Sequence, residues 1–118
     1  MIAIVDYKAG NLTSVKLALA ALRAEARITS KAADILASDR VIFPGVGAAG
    51  SAMKNLAELG LSGVIRDVVS RGTPFLGICL GTQIILEFSE EDRGTKTLGV
   101  IPGEVKRFKP SRRFDKVP

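Results

Sequence analysis

Two hydrophobic periods take turns along the chain. Short, strongly apolar runs stand at 2–7 ("IAIVDY"), 26–30 ("ARITS"), 40–45 ("RVIFPG") and 73–79 ("TPFLGIC"). Runs of this length, rich in β-branched residues, predict strands buried in a parallel sheet. Between them apolar residues recur at three- and four-residue spacing. Leu12, Val15, Leu19 and Leu22 predict a helix capped by Asn11. A short helical piece is expected at 31–37, with helices at 51–59, 61–71 and 80–89, the last closed by the acidic "SEED". From Leu98 onward "LGVIPGEVKRF" is β-prone around a Pro-Gly turn and predicts a hairpin or a bent edge strand.

Strands alternating with helices predict an α/β fold with a parallel sheet covered by helices on both faces. Ligands of such sheets sit outside the carboxyl ends of the strands. Three loops leave those ends, "DYKAGN" after the first strand, "PGVGAAG" after the third and "GICLG" after the fourth, and they are expected on one rim.

Composition narrows the chemistry. With 118 residues, 47% hydrophobic and 25% charged, the chain fits one domain with a buried core rather than a disordered or fibrous segment. No apolar run has the length of a membrane span, and "MIAIVDY" has neither the basic flank nor the cleavage site of a signal peptide, so a cytoplasmic location is expected. One cysteine and no histidine exclude an internal disulfide and a tetrahedral zinc site. No metal and no cofactor is expected. The net charge of +5 is local: residues 106–118 hold six Lys or Arg and one acid, and the rest carries eleven basic and eleven acidic residues. That reads as a solvated basic edge in preference to a tail contacting RNA, a phosphorylated ligand or an acidic partner, and neither nucleic acid nor membrane is expected as a partner.

The lone cysteine lies in G-x-C-x-G between a predicted strand and a predicted helix. Unbridged cysteine is commonly a small buried hydrophobe. Gly77 and Gly81 flanking Cys79 at a strand-to-helix turn instead match a nucleophile elbow, where the start of the helix favours a thiolate and the N–H of Leu80 faces a developing oxyanion. "PGVGAAG" departs from the G-x-G-x-x-G phosphate pattern, which disfavours a dinucleotide site, and its backbone offers a second set of oxyanion donors. Gln83, one helical turn beyond Cys79, is either a substrate contact or a polar surface residue. Asp6 and Tyr7 end the first strand, where they either position a partner or line the rim.

"MIAIVDYKAGNL", "FPGVGAAGSAM", "PFLGICLGTQ" and "LGVIPGEVKRF" together resemble, in order and spacing, the glutaminase subunits of imidazole glycerol phosphate synthase, which are class I, triad-type glutamine amidotransferases. The resemblance covers essentially the whole chain. It implies a flavodoxin-like, three-layer parallel-sheet fold of which residues 1–118 form the amino-terminal part, the carboxy-terminal part being absent. It further implies hydrolysis of L-glutamine to glutamate and ammonia through a γ-glutamyl thioester, with the ammonia passed to a (β/α)8-barrel cyclase subunit. By position, Cys79 would be the nucleophile, Leu80 with Val46 and Gly47 the oxyanion hole, Gly47 and Gln83 the glutamine contacts, and Asn11 part of the partner-facing rim. The family's triad also needs a histidine and a glutamate. Neither is matched within these residues: Glu87 and Asp6 are the acids near the motifs, and neither takes the triad position. The 118 residues alone are therefore expected not to turn over glutamine, and to leave a sheet edge and apolar surface uncovered. Two other readings compete: a non-catalytic module that keeps the partner-facing rim, and a chaperone- or peptidase-like elbow protein, against which "PGVG" and Gln83 count.

Overall fold

Four strands, β1 (Ile2–Val5), β2 (Ala26–Thr29), β3 (Arg40–Gly45) and β4 (Phe75–Cys79), lie parallel in the order β2-β1-β3-β4 in a computed structural model that describes residues 1–109. The tail residues Arg112, Arg113 and Lys116 fall outside the described residues. Central β1 explains its unbroken apolar run: Ala3, Ile4 and Val5 are fully buried because both faces of the strand are covered. The chain runs from β1 to β2 on one side and then crosses to β3 on the other, which places the reversal of strand order between β1 and β3.

One face of the sheet carries the core. Ala3, Val5, Val41 and Phe43 meet Ile35 of α2 (Ala32–Ala37), Ala52 and Leu56 of α3 (Ala49–Glu58), and Ile65 and Val68 of α4 (Ser62–Ser70). Tyr7, Phe43 and Phe75 stack in a row through this core, with ring centroids 4.8 and 5.6 Å apart. The other face is covered by α1 (Leu12–Ala21), which lies against β1 and β2. Leu76 and Ile78 of β4 remain 55% and 38% exposed there.

The expected core helix at the start of the chain is accordingly only a partial cover. Leu12, Val15 and Leu19 are half-buried toward the sheet, no residue of α1 is fully buried, and Leu22 is 76% exposed. A helix packed on one face of two strands has no neighbour to bury its flanks.

The second half differs from expectation at three points, each for a tertiary reason. The helix expected at 80–89 stops early, as α5 (Leu80–Ile84). The carbonyls of Ile84, Ile85 and Leu86 accept from the N–H groups of Leu98, Val100 and Gly99 at 2.8, 2.9 and 2.7 Å, so incoming backbone replaces the next helical turn. Freed from the helix, β5 (Phe88–Ser89) pairs antiparallel with β6 (Thr95–Lys96) and parallel with β7 (Glu104–Val105). The hairpin thus joins β5 to β6, while the segment after Pro102-Gly103 enters as a parallel edge strand. Glu87 fixes that segment, accepting from the Gly103 N–H at 3.0 Å.

The acidic run closes a different helix from the one its sequence position suggests. Glu91 Oε2 accepts from the Ala49 N–H and Asp92 Oδ2 from the Gly50 N–H, both at 2.8 Å, so two carboxylates cap the start of α3 from 42 residues away. Opposite charge at a helix amino terminus also suits its dipole. This cap starts α3 at Ala49, ahead of the expected 51, and anchors the loop that precedes it. Glu91→Ala is expected to cost about 1 kcal/mol, as for loss of a helix cap, lowering the thermal unfolding midpoint by several degrees while far-ultraviolet circular dichroism keeps the native signature.

Candidate active site

The three rim loops converge on Gly45. In the β3–β4 ladder Gly45 pairs directly with Cys79, and Phe43 with Gly77. The first loop closes from the other side: a side chain on Gly10 would stand 3.5 Å from Gly45 Cα. That loop is held by its own polar groups, since Asp6 Oδ1 accepts from the Lys8 N–H at 3.1 Å and Asn11 Oδ1 from the Ser14 N–H at 3.5 Å, the latter capping α1. Asp6 and Asn11 shape the loop locally, and Asn11 is exposed on the rim.

Cys79 stands on a sharp elbow. Its φ of 54° and ψ of −117° lie in a region that L residues rarely occupy, and β4 passes into α5 with no intervening residue. The turn is compact because two glycines permit it. A Cβ on Gly81 would stand 1.8 Å from the Phe43 carbonyl oxygen, and one on Gly77 would stand 3.0 Å from Thr82 Cα. Backbone therefore crosses backbone on either side of the cysteine. Cys79 is unbridged and exposed, whereas Leu80 behind it is buried. The alternative of a buried sulfur in a strand does not hold.

Val46 and Gly47 extend past the paired end of β3. Val46 is 56% exposed, and Gly47 has φ of 103° with open space where a side chain would be. Gln83 is half-buried in α5, one turn from the elbow. Among the described residues no cluster of His, Cys, Asp or Glu is arranged to hold a metal ion, and no helix is long and apolar enough to cross a membrane. The apolar groove lined by Ile2, Arg40, Ile42, Pro74 and Leu76 lies at the amino ends of the strands and takes no part in this site.

One group beneath the rim was left undecided by its sequence position. Tyr7 is fully buried, and its hydroxyl has no hydrogen-bond partner among the described residues. The hydroxyl lies where a side chain of Gly45 would begin, only 2.1 Å from that ideal Cβ position. Burial, and secondarily the charge of Cys79, push its ionisation well above the ordinary tyrosine range. Tyr7 stays a neutral proton donor and is not a base for the cysteine.

The glutamine amidotransferase class-I family profile matches residues 3–113. The chain belongs to the class-I glutamine amidotransferase family. It is 54% identical over 113 residues to the imidazole glycerol phosphate synthase subunit HisH of Desulfovibrio desulfuricans, a match covering 96% of this chain and 52% of that protein. The chain spans about half the length of the curated relatives it matches. A solved glutamine amidotransferase superposes with a TM-score of 0.65 at 24% identity, over 76% of this chain and 48% of its own. A putative peptidase E from Listeria monocytogenes gives a TM-score of 0.62 at 15% identity, over 74% and 50%. At those identities the superpositions speak for the shared α/β fold alone.

The backbone crossing at the elbow admits no side chain at Gly81, whereas the open strip after β3 admits a strained one at Gly47. Gly81→Ala is expected to lose more than about 3 kcal/mol, because the atom it meets is main chain and cannot rotate away. Gly47→Ala meets no neighbour and is expected to cost about 1–2 kcal/mol from its positive φ. Urea midpoints of the two variants, compared with the unsubstituted chain, check the order.

Proposed function

We propose that residues 1–118 are the nucleophile-bearing, amino-terminal part of a glutaminase subunit of imidazole glycerol phosphate synthase, acting in histidine biosynthesis in the cytoplasm. The observation that carries the reading is the strained Cys79 elbow held directly across from the Pro44–Gly47 strip. In this reading the Cys79 sulfur attacks the γ-carboxamide carbon of L-glutamine. The carbonyl oxygen becomes an oxyanion, which the Leu80 N–H and the Val46–Gly47 backbone stabilise. Collapse of that adduct expels ammonia and leaves a γ-glutamyl thioester, and water then releases glutamate. Gly47 and Gln83 hold the glutamine.

A general base must take the thiol proton and later activate the water. These residues contain no histidine, and in this reading the histidine and glutamate of the triad correspond to the part of the HisH relatives that this chain does not match. Ammonia passes to a (β/α)8-barrel cyclase subunit docked on the rim that carries Asn11, the pair forming a heterodimer with lyase activity. The high identity to HisH proteins over 92–96% of this chain supports that assignment over a stand-alone binding module.

The test joins these 118 residues to the carboxy-terminal half of the Desulfovibrio desulfuricans relative and measures glutamate release with the cyclase subunit and its nucleotide present. Release is expected from the joined chain and not from residues 1–118 alone. Cys79→Ala should lower it by roughly a thousand-fold or more, as for removal of a nucleophile that works as one unit with its base. Release that persists in Cys79→Ala would sink the proposal.

A further inference from the structure

Helix α3 cannot cap itself. Its N-cap residue is Ala48, which has no polar side chain, and the helix opens on Ala49 and Gly50. The first two N–H groups are taken instead by the turn at 91–93: Glu91 Oε2 accepts from the Ala49 N–H and Asp92 Oδ2 from the Gly50 N–H, each at 2.8 Å. Reaching them strains the turn. Asp92 and the following Arg93 both have left-handed φ, 53° and 63°, a conformation that residues with a side chain rarely adopt. Their surroundings hold them to it, since the Glu91 N–H donates to Ser89 Oγ at 3.2 Å and Thr95 Oγ1 donates to the Glu91 carbonyl at 3.1 Å. The fit on α3 is close as well: a Cβ on Gly50 would stand 2.8 Å from Asp92 Oδ2.

Between this latch and the ladder lies the strip itself, Val46, Gly47 and Ala48. Gly45, before it, is fixed opposite Cys79. Ala49, after it, is buried, and the latch sets the direction of the two peptide planes that begin α3. Little else holds the strip. Val46 and Gly47 are exposed, Gly47 has open space where a side chain would be, and the N–H groups of residues 46–48 make no hydrogen bond among the described residues. Its orientation is decided at its two ends. We infer that Asp92 is a positioning residue of this site: by latching the Gly50 N–H it fixes the orientation of the Val46–Gly47 donors relative to Cys79. The inference deepens the glutaminase reading and rests on its assignment of those two residues as oxyanion donors.

A cap brought from the 91–93 turn does what a local cap would not. Serine or aspartate at position 48 would cap α3 with no strained turn, but it would place a hydrogen-bond acceptor at the end of the strip, able to compete for its N–H groups. Aspartate there would also set a negative charge beside a developing oxyanion. Capping from Glu91 and Asp92 satisfies the helix and leaves the donors of the strip free.

The test compares two reactions of one sulfur in residues 1–118, at a pH where the thiol has lost its proton to buffer. 4-Nitrophenyl acetate acylates Cys79 through an oxyanion: the thiolate adds to the ester carbonyl, and collapse of the adduct forms a thioester and expels nitrophenolate. Iodoacetamide alkylates the same thiolate by displacement of iodide, with no oxyanion on the path. The ratio of the two rates separates the donors from the ionisation and access of the thiol. The chain has one cysteine and no histidine, and Cys79→Ser supplies the background. Asp92→Ala is expected to lower acylation about tenfold, less than loss of a whole oxyanion donor costs, and to leave alkylation unchanged. Asp92→Asn keeps an oxygen acceptor for the Gly50 N–H and should recover the ratio. Gly50→Ala should lower it as Asp92→Ala does, because the added methyl displaces the carboxylate. Alanine favours the helix, so a residue that served only as a cap would show no such loss. An unchanged ratio in Asp92→Ala, an equal fall in both rates, or no recovery in Asp92→Asn overturns the inference. If Asp92→Ala does not fold, Gly50→Ala decides in its place. Neither reaction involves glutamine or the cyclase subunit, so the inference and the glutaminase assignment fail separately.

Discussion

Main chain meets main chain at the carboxyl ends of β3 and β4, and the rest of the site depends on that contact. The Phe43 carbonyl occupies the space that a Gly81 side chain would need, Thr82 crowds Gly77, and Gly10 closes on Gly45. Because the backbones touch, α5 starts with no loop after β4, and Cys79 is forced into its positive φ. The same contact holds Gly45 opposite Cys79 in the ladder. A side chain on Gly81 would meet the Phe43 carbonyl, which cannot rotate away, and would push the start of α5 off β3.

The first half of the fold is legible in the sequence because its strands are buried on both sides. Continuous apolar runs such as 2–7 and 40–45 leave no ambiguity about element type, and the order of strands and helices follows. The elbow was legible for another reason: glycines flank a cysteine at a strand-to-helix boundary, and that pattern has a steric cause. Where local pattern and long-range backbone bonds compete, the pattern fails. "LGTQIILEFS" is a good helix by spacing, yet residues 98–100 capture its carbonyls and end it after Ile84. No periodicity reports such a bond. The acidic run misleads in the same way, since carboxylates suit the start of any nearby helix and sequence distance does not say which one.

Tyr7 shows a further limit. At the end of a strand a tyrosine is an ordinary core residue, and its ring behaves as one, stacked on Phe43. What separates it from phenylalanine is one oxygen, whose place depends on Gly45, 38 residues further along the chain. The relevant signal is the absence of a side chain at Gly45. A glycine in a buried strand marks a place where something else comes close, and here that is a hydroxyl.

The division of parts between the two halves of such a domain has a physical logic. In the proposed glutaminase reading a nucleophile and its oxyanion donors must be fixed relative to one another, and main-chain contacts among β3, β4 and α5 would do that. A general base would then have only to approach Cys79, which is exposed. The uncovered Leu76 and Ile78 extend along the same strand, on the face opposite the core. Apolar surface continuous with the nucleophile's own strand is where further sheet-packed structure would gain most from burial. A segment docking there would be registered to β4, and hence to Cys79, without having to contact the elbow itself. In the proposed glutaminase reading, positioning the base and covering this face of β4 would be one event.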